Sequence, residues 1–253
     1  MKNKTIKRKW GWKPDIPDQR DYPFSKFMKV IRRLPVSVDL RNNCSPIEDQ
    51  GSLGSCTACA SAGLVEFLSL RNGIPFDASK LFIYYNARAL EGTVDSDSGA
   101  YLRDNIKTLV SQGVCMESLW PYTISKFMDK PTNSCYLEAL NHQALGYYRI
   151  SSLIEMKSCL ASGLPFMFGF AVYESFLSDV VELTGKVPMP LHKERMLGGH
   201  AVVDVGYRES DKRFIVRNSW GSNWGIDGYF TMPYAYLDSK KLSGDFWTIT
   251  KQE

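Results

Sequence analysis

The stretch Gln50-Gly-Ser-Leu-Gly-Ser-Cys56-Thr-Ala-Cys59-Ala-Ser-Ala-Gly-Leu-Val-Glu-Phe-Leu limits what this chain can become more than any other. A Gly/Ser-rich loop runs straight into an apolar, helix-forming segment that has to be buried, and Cys56 sits at the joint. Ser55 stands where an N-cap is needed, which puts Cys56 in the first helical turn. The positive end of the helix dipole and its unpaired N–H groups favour an anion there, so a thiol at that position is expected to titrate low. Thiolate is the nucleophilic form of cysteine. The joint suits a reactive sulfur, and a reactive sulfur needs a base.

Three histidines are available. His142, between Asn141 and Gln143, and His192, beside Lys193, read as solvated. His200 follows Gly198-Gly199 and opens an apolar strand running to Tyr207. A histidine alone on a strand is more often a satisfied core residue, but neighbouring glycines let a backbone or a substrate come close. Asn218 ends the next strand, within reach across an antiparallel pair, and its amide can orient an imidazole. Trp220 and Trp224, among the glycines of Ser219-Trp-Gly-Ser-Asn-Trp-Gly225, can shield that pair from water. Gln50 carries an amide N–H which, with the Cys56 backbone N–H, can hold the oxyanion of an acyl transfer.

The remainder of the chain has the composition of an ordinary globular protein, 44% hydrophobic and 23% charged, so a large buried core is available to hold these groups. No apolar run approaches the roughly 18 residues of a membrane span. The basic start MKNKTIKRKW is followed by no apolar run, so no Sec signal peptide is expected, which implies a cytoplasmic protein or one exported by another route. Residues 1–33 carry eleven Lys/Arg and three Asp, a local charge of +8, against −4 for everything after them. A basic leader facing an acidic body is drawn to it at long range, although a solvated tail is the plainer reading of charge alone. Pro14, Pro17 and Pro23 favour an extended path, and Trp10, Trp12, Tyr22 and Phe24 give that path something to bury. Phe24, Phe27, Met28 and Ile31 then space as a short amphipathic helix. Beyond the edge strand expected in Leu34–Arg41, helices are expected over Cys56–Arg71, Asp77–Leu90 and Tyr101–Gln112. Strands follow at Ala144–Ile150, Pro165–Val172, His200–Tyr207, Phe214–Trp220 and from Tyr229, with one helix near Ser152–Ser162. Helices first and antiparallel strands after imply an α+β fold of two lobes with a cleft between them.

The site residues resemble the papain-like cysteine peptidases. Gln50 and Gly54-Ser-Cys56 match that family's nucleophile loop, Gly199-His200-Ala201 its histidine strand, and Asn218-Ser-Trp220-Gly221-Ser-Asn-Trp224-Gly225 its asparagine motif. Leu34-Pro-Val-Ser-Val-Asp-Leu-Arg41 resembles the start of its mature domain. The resemblance spans roughly residues 34–235. It implies a papain-like two-lobe fold, with a helical N-terminal lobe (about 34–142) and an antiparallel, β-barrel-like C-terminal lobe (about 143–253), preceded by an N-terminal extension over 1–33. It implies catalysis by Cys56, His200, Asn218 and Gln50, a monomer, no cofactor and no metal. A peptide substrate would lie along Gly99 and Ala100, with Gly199, Ala201 and Trp220 also lining its path. Two departures stand out. The family's usual cysteine at Leu53 and its partner near Asp95–Tyr101 are both absent, as for one disulfide lost cleanly, and the tryptophan after the nucleophile is Thr57. The leader is shorter than the long helical prosegments and resembles bacterial members with a brief extension. It is expected to lie in or across the cleft and inhibit the enzyme.

Two rival readings are weaker. Cys56-Thr-Ala-Cys59 is formally a C-x-x-C pair, but neither a redox βαβ context nor two further zinc ligands accompany it. A catalytically silent binding protein on the same scaffold would usually have lost one of the four groups. No nucleic-acid motif accompanies the basic leader. The pairing of Cys44, Cys59, Cys115, Cys135 and Cys159 is left open by the sequence.

Overall fold

A computed structural model describes residues 8–252, so the start of the basic leader, residues 1–7, and the absence of a signal peptide read from it lie outside the described residues. From Arg8 the chain runs extended through strand β1 (Trp12–Lys13) to a single helical turn, α1 (Phe24–Phe27). The amphipathic helix expected through Ile31 stops here. Met28 is extended, Phe27 stacks on Tyr148 at 4.1 Å, and the Ile31 N–H donates to Ser158 Oγ at 3.1 Å. Contacts with the body replace the helix's own hydrogen bonds. Strand β2 (Ser37–Asp39) follows and pairs with the sheet described below.

Helix α2 (Cys56–Arg71) is buried on every side from Cys56 to Ser69. Its small residues allow that. At Gly63 an added Cβ would stand 3.3 Å from Arg217 Nε and 3.7 Å from Val203. Helix α3 (Lys80–Glu91) begins three residues later than the sequence suggests, because Ser79 is the cap: its Oγ accepts the Phe82 N–H at 3.1 Å. Strand β3 (Ala100–Tyr101), helix α4 (Leu102–Ser111) and helix α5 (Asn133–Ala139) complete the helical part. Between α3 and β3 the loop 93–99 is shaped from beneath by Arg88, which is fully buried. Its guanidinium donates to the carbonyls of Val94 (2.7 Å) and Ser96 (3.0 Å).

The second part comprises β4 (Ala144–Ile150), α6 (Leu153–Ala161), β5 (Phe166–Tyr173), α7 (Asp179–Thr184), β6 (Met196–Arg208), β7 (Arg213–Arg217), β8 (Tyr229–Pro233), α8 (Tyr234–Asp238) and β9 (Ser243–Gln252). These strands form one antiparallel sheet in the order β4-β9-β5-β6-β7-β8, with β2 attached to β6. The fold is α+β. Helix α2 lies between the sheet, where it meets β5, β6 and β9, and the helices α3 and α4. Its N-terminus therefore opens where the helical and sheet layers meet. The stretch 183–197, which with Pro188 and Pro190 reads from the sequence as a long loop, is shortened at both ends, by α7 and by the start of β6 at Met196. His142 is only partly solvated: its ring lies 4.1 Å from Phe76 and its Nε2 is 2.9 Å from Glu138. His192 is exposed, as expected. All six cysteines are free thiols.

Candidate active site

Two loops and two strands converge on the N-terminus of α2. Cys56 is fully buried there. Ser55 precedes it but does not cap the helix; its hydroxyl is engaged by the Tyr122 hydroxyl. Gln50, also fully buried, ties the nucleophile loop to the turn after β7. Its backbone N–H donates to the Ser219 carbonyl at 2.9 Å and its Oε1 accepts from Ser219 Oγ at 2.8 Å. Its Nε2 donates to the Leu53 carbonyl at 2.9 Å and faces the Lys9 carbonyl at 3.5 Å. His200 on β6 and Asn218, one residue past the end of β7, meet at 2.8 Å between Nε2 and Oδ1. An amide oxygen only accepts, so Nε2 carries the hydrogen and the basic nitrogen of a neutral ring is Nδ1. Asn218 Oδ1 also accepts the Ser219 N–H at 2.9 Å. Trp220 lies 5.0 Å from the imidazole at 31° and covers it, with Phe176 and Trp224 packed behind. His200, Asn218, Gln50 and Trp220 are thus linked through Ser219 and the ring contacts, while His200 Nδ1 is buried without a hydrogen-bond partner among the described residues.

The leader crosses this site. Gly11 covers Cys56, and a Cβ there would run into the Gly54 carbonyl and stand 3.1 Å from the Cys56 sulfur. The Ala100 N–H donates to the Gly11 carbonyl at 2.8 Å, and β1 pairs with β3 in parallel. Trp10 packs against Gly198, Trp220 (6.1 Å) and His200 (6.3 Å). The Trp12 indole lies against Gly169 and Gly199. The expected cleft residues Gly99, Ala100, Gly199 and Trp220 therefore all touch the leader, and the Ala201 backbone N–H is turned to the Cys56 sulfur. Ion pairs flank the crossing: Arg8 with Asp49, Lys9 with Asp97 at 2.8 Å, and Lys13 with Glu91. Further along, Asp21 is gripped by both Arg103 (2.7 Å) and Arg149 (2.8 Å), and Asp15 accepts the Trp247 indole N–H at 2.8 Å.

Burial sets the electrostatics. Loss of water pushes the Cys56 thiol up to about 11, only partly offset by the N–H groups of Ala201 and Gly11. The same burial pulls His200 down to about 4, although its bond to Asn218 works the other way. The low-titrating thiol expected from the helix dipole is not found in this state. Desolvation thus pushes both groups toward their neutral forms, as burial does to a charged pair.

Sequence reasoning missed Asp97. Its carboxylate accepts the Gly54 N–H (3.0 Å) and the Tyr84 hydroxyl (2.6 Å), and the same hydroxyl accepts the Gly99 N–H at 3.1 Å. Loop 93–99 is thereby tied to the nucleophile loop near where the family's usual disulfide is missing from this chain. Asp97 carried no signal beyond lying in a polar loop. Trp12 and Asp245 were missed as partners for the same reason, being far apart in sequence. Among the described residues, Glu48, Glu66 and Asp77 are the acidic trio close enough to share an ion. The Lys80 ammonium already lies 3.2 Å from Glu48 and 3.1 Å from Asp77, so that charge is met by the chain itself.

The family model for papain family cysteine proteases matches residues 34–241. An uncharacterized peptidase C1-like protein of Acanthamoeba polyphaga mimivirus is 42% identical, over 98% of this chain and 89% of its own length. Pro-cathepsin H of Bos taurus is 27% identical, over 89% of this chain and 67% of its own. Among solved structures, xylellain, a cysteine protease from Xylella fastidiosa, superposes with a TM-score of 0.90 at 41% identity and 96% coverage of both chains. The fold extends to procathepsin L 3 of Tenebrio molitor larval midgut, at a TM-score of 0.72 and 19% identity over 97% of this chain and 77% of that one.

Proposed function

We propose, because this chain belongs to the papain family of cysteine proteases, that it is an endopeptidase working through Cys56, His200, Asn218 and Gln50 and held inactive by its own leader. The observation that carries the catalytic part is the His200–Asn218 bond beneath Trp220, which fixes the ring with Nδ1 as its basic nitrogen. With the leader lifted, water returns to the cleft and the proton of Cys56 passes to His200 Nδ1. The thiolate attacks the carbonyl carbon of a peptide bond, and the electron pair moves to an oxygen held by the Gln50 amide and the Cys56 N–H. The tetrahedral adduct expels the amine, which takes its proton from His200. Water, deprotonated by His200, then cleaves the thioester and restores the free thiol. Cys56→Ala is expected to fold normally and lose turnover; retained turnover would show that another group is the nucleophile.

The autoinhibitory part rests on what Cys56 faces. The Gly11 backbone lies over the sulfur, where a Cβ would stand 3.1 Å from it, so the leader covers the nucleophile and shuts out a substrate. We read residues 1–33 as the inhibitory segment and 34–253 as the catalytic domain, its two lobes dividing near residue 143. Deleting 1–33 is expected to raise hydrolysis of a peptide substrate and the rate of Cys56 alkylation by iodoacetamide; unchanged rates would remove the inhibitory role. No helix among the described residues is long and apolar enough to cross a membrane.

A further inference from the structure

Trp12 does more than cross the cleft, because its indole enters a slot in the body. Gly169 of β5 and Gly199 of β6 are its walls, and a Cβ on either would fall against the ring itself. A Cβ built on Gly244 of β9 would stand 4.0 Å from the indole, in ordinary contact. At the floor lies Asp245, 5% exposed, whose Oδ2 accepts the indole N–H at 3.0 Å. The same oxygen accepts the Asp15 backbone N–H at 2.7 Å, while Oδ1 is met by Arg149 at 3.2 Å. The slot adjoins the sulfur, since Trp12 follows the residue that covers Cys56.

Both donors on Asp245 Oδ2 belong to the leader. When the leader leaves, that oxygen loses them together and water takes their place, so an incoming side chain that displaces the water without bringing a donor leaves a buried carboxylate oxygen unpaired, which is strongly unfavourable. Whatever fills the slot next is favoured if it restores an N–H at that depth. Phenylalanine and leucine fill space but restore nothing. A cationic side chain brings N–H groups, yet it would meet Arg149 on Asp245 and Arg103 nearby, both released from Asp21 as the leader departs. A flat, wide side chain with a neutral N–H at its far end satisfies shape and charge together. Resting on the peptidase reading above, we propose that the slot vacated by Trp12 selects tryptophan in the peptide substrate, with Asp245 as the acceptor that sets this preference. A site built around a hydrogen bond rejects an isostere that lacks the donor more firmly than an apolar pocket rejects a change of size.

The full-length chain permits a test in two parts. Trp12→Phe keeps an aromatic ring in the slot and removes the N–H, so the leader should lift more often and iodoacetamide should alkylate Cys56 about tenfold faster or more. An unchanged rate overturns the inference. The same variant is then offered fluorogenic peptides varied at the two residues on either side of the cut bond, carrying tryptophan, its benzothienylalanine isostere, phenylalanine, leucine or arginine. The tryptophan peptide should exceed the isostere by about tenfold or more in kcat/KM. Asp245→Asn should shrink that ratio, and if this variant misfolds, the ratio measured with the native body decides alone. Equal rates for tryptophan and isostere, or arginine leading the series, overturn the inference and leave the peptidase reading standing. Rapid alkylation of Cys56 without hydrolysis of any peptide overturns the peptidase reading, and this inference falls with it.

Discussion

Gln50 joins structure and proposed chemistry in one side chain. Its Oε1 is fixed by Ser219 and its amide nitrogen is turned toward the loop carbonyls beside Cys56. Gln50→Ala is expected to lower kcat about 10²–10³-fold with a much smaller change in KM, because the lost donor acts on the oxyanion and not on the ground-state carbonyl. Asp97→Ala removes the acceptor for both the Gly54 N–H and the Tyr84 hydroxyl. A cost of about 1–3 kcal/mol is expected in denaturant unfolding, since the Gly54 and Tyr84 donors lose their partner. The four candidate catalytic groups were readable because acyl transfer restricts their types and each sits in a short linear motif. Asp97 and Asp245 were not, because a carboxylate in a loop or on a strand names no partner until the fold brings one to it.

The same division holds for the elements. Helices α2 to α4 were foreseen from apolar spacing, with errors of a few residues at their ends. Strand β9 was missed although it lies in the middle of the sheet between β4 and β5. Trp247, Thr248 and Ile249 are buried in succession, so the alternation that marks a half-exposed strand is missing. The leader helix failed in the opposite direction: its spacing was present, but contacts with Tyr148 and Ser158 ended it after one turn. Cap chemistry corrected the start of α3, and Ser79→Ala is expected to cost about 1 kcal/mol, which for a chain of this size lowers Tm by about 2–4 °C in a thermal scan. Between β5 and β6 the slot for Trp12 depends on the absence of side chains. Gly169→Ala puts a methyl into the indole's place and should accelerate Cys56 alkylation in the full-length chain as the leader is displaced.

Across the whole molecule, the leader's grip is expected to follow pH through Asp15. Burial, with Asp245 close by, pushes its carboxyl up to about 7 in the docked state, against about 3.9 when solvated. Between those values the docked form keeps a proton that the lifted form has lost, so docking is tightest at acid pH and weakens as pH rises toward 7. His200, pulled down to about 4 with the leader in place against about 6.5 when solvated, works in the opposite sense over part of this range. The Asp15 share is therefore read as a difference: a fluorotryptophan signal from Trp12 should show Asp15→Asn losing less docked population than the native chain between pH 4 and 7. The leader is anchored at Ile31 to Ser158, and the chain re-enters the sheet at Ser37, so only a few residues join leader to body. Such a tether gives the leader an effective concentration on the order of millimolar at its own cleft, whatever the amount of protein present. Inhibition in the intact chain would then be indifferent to dilution. A single cut in that tether would turn the leader into an ordinary ligand that leaves as the solution is thinned, and activation would become a matter of volume.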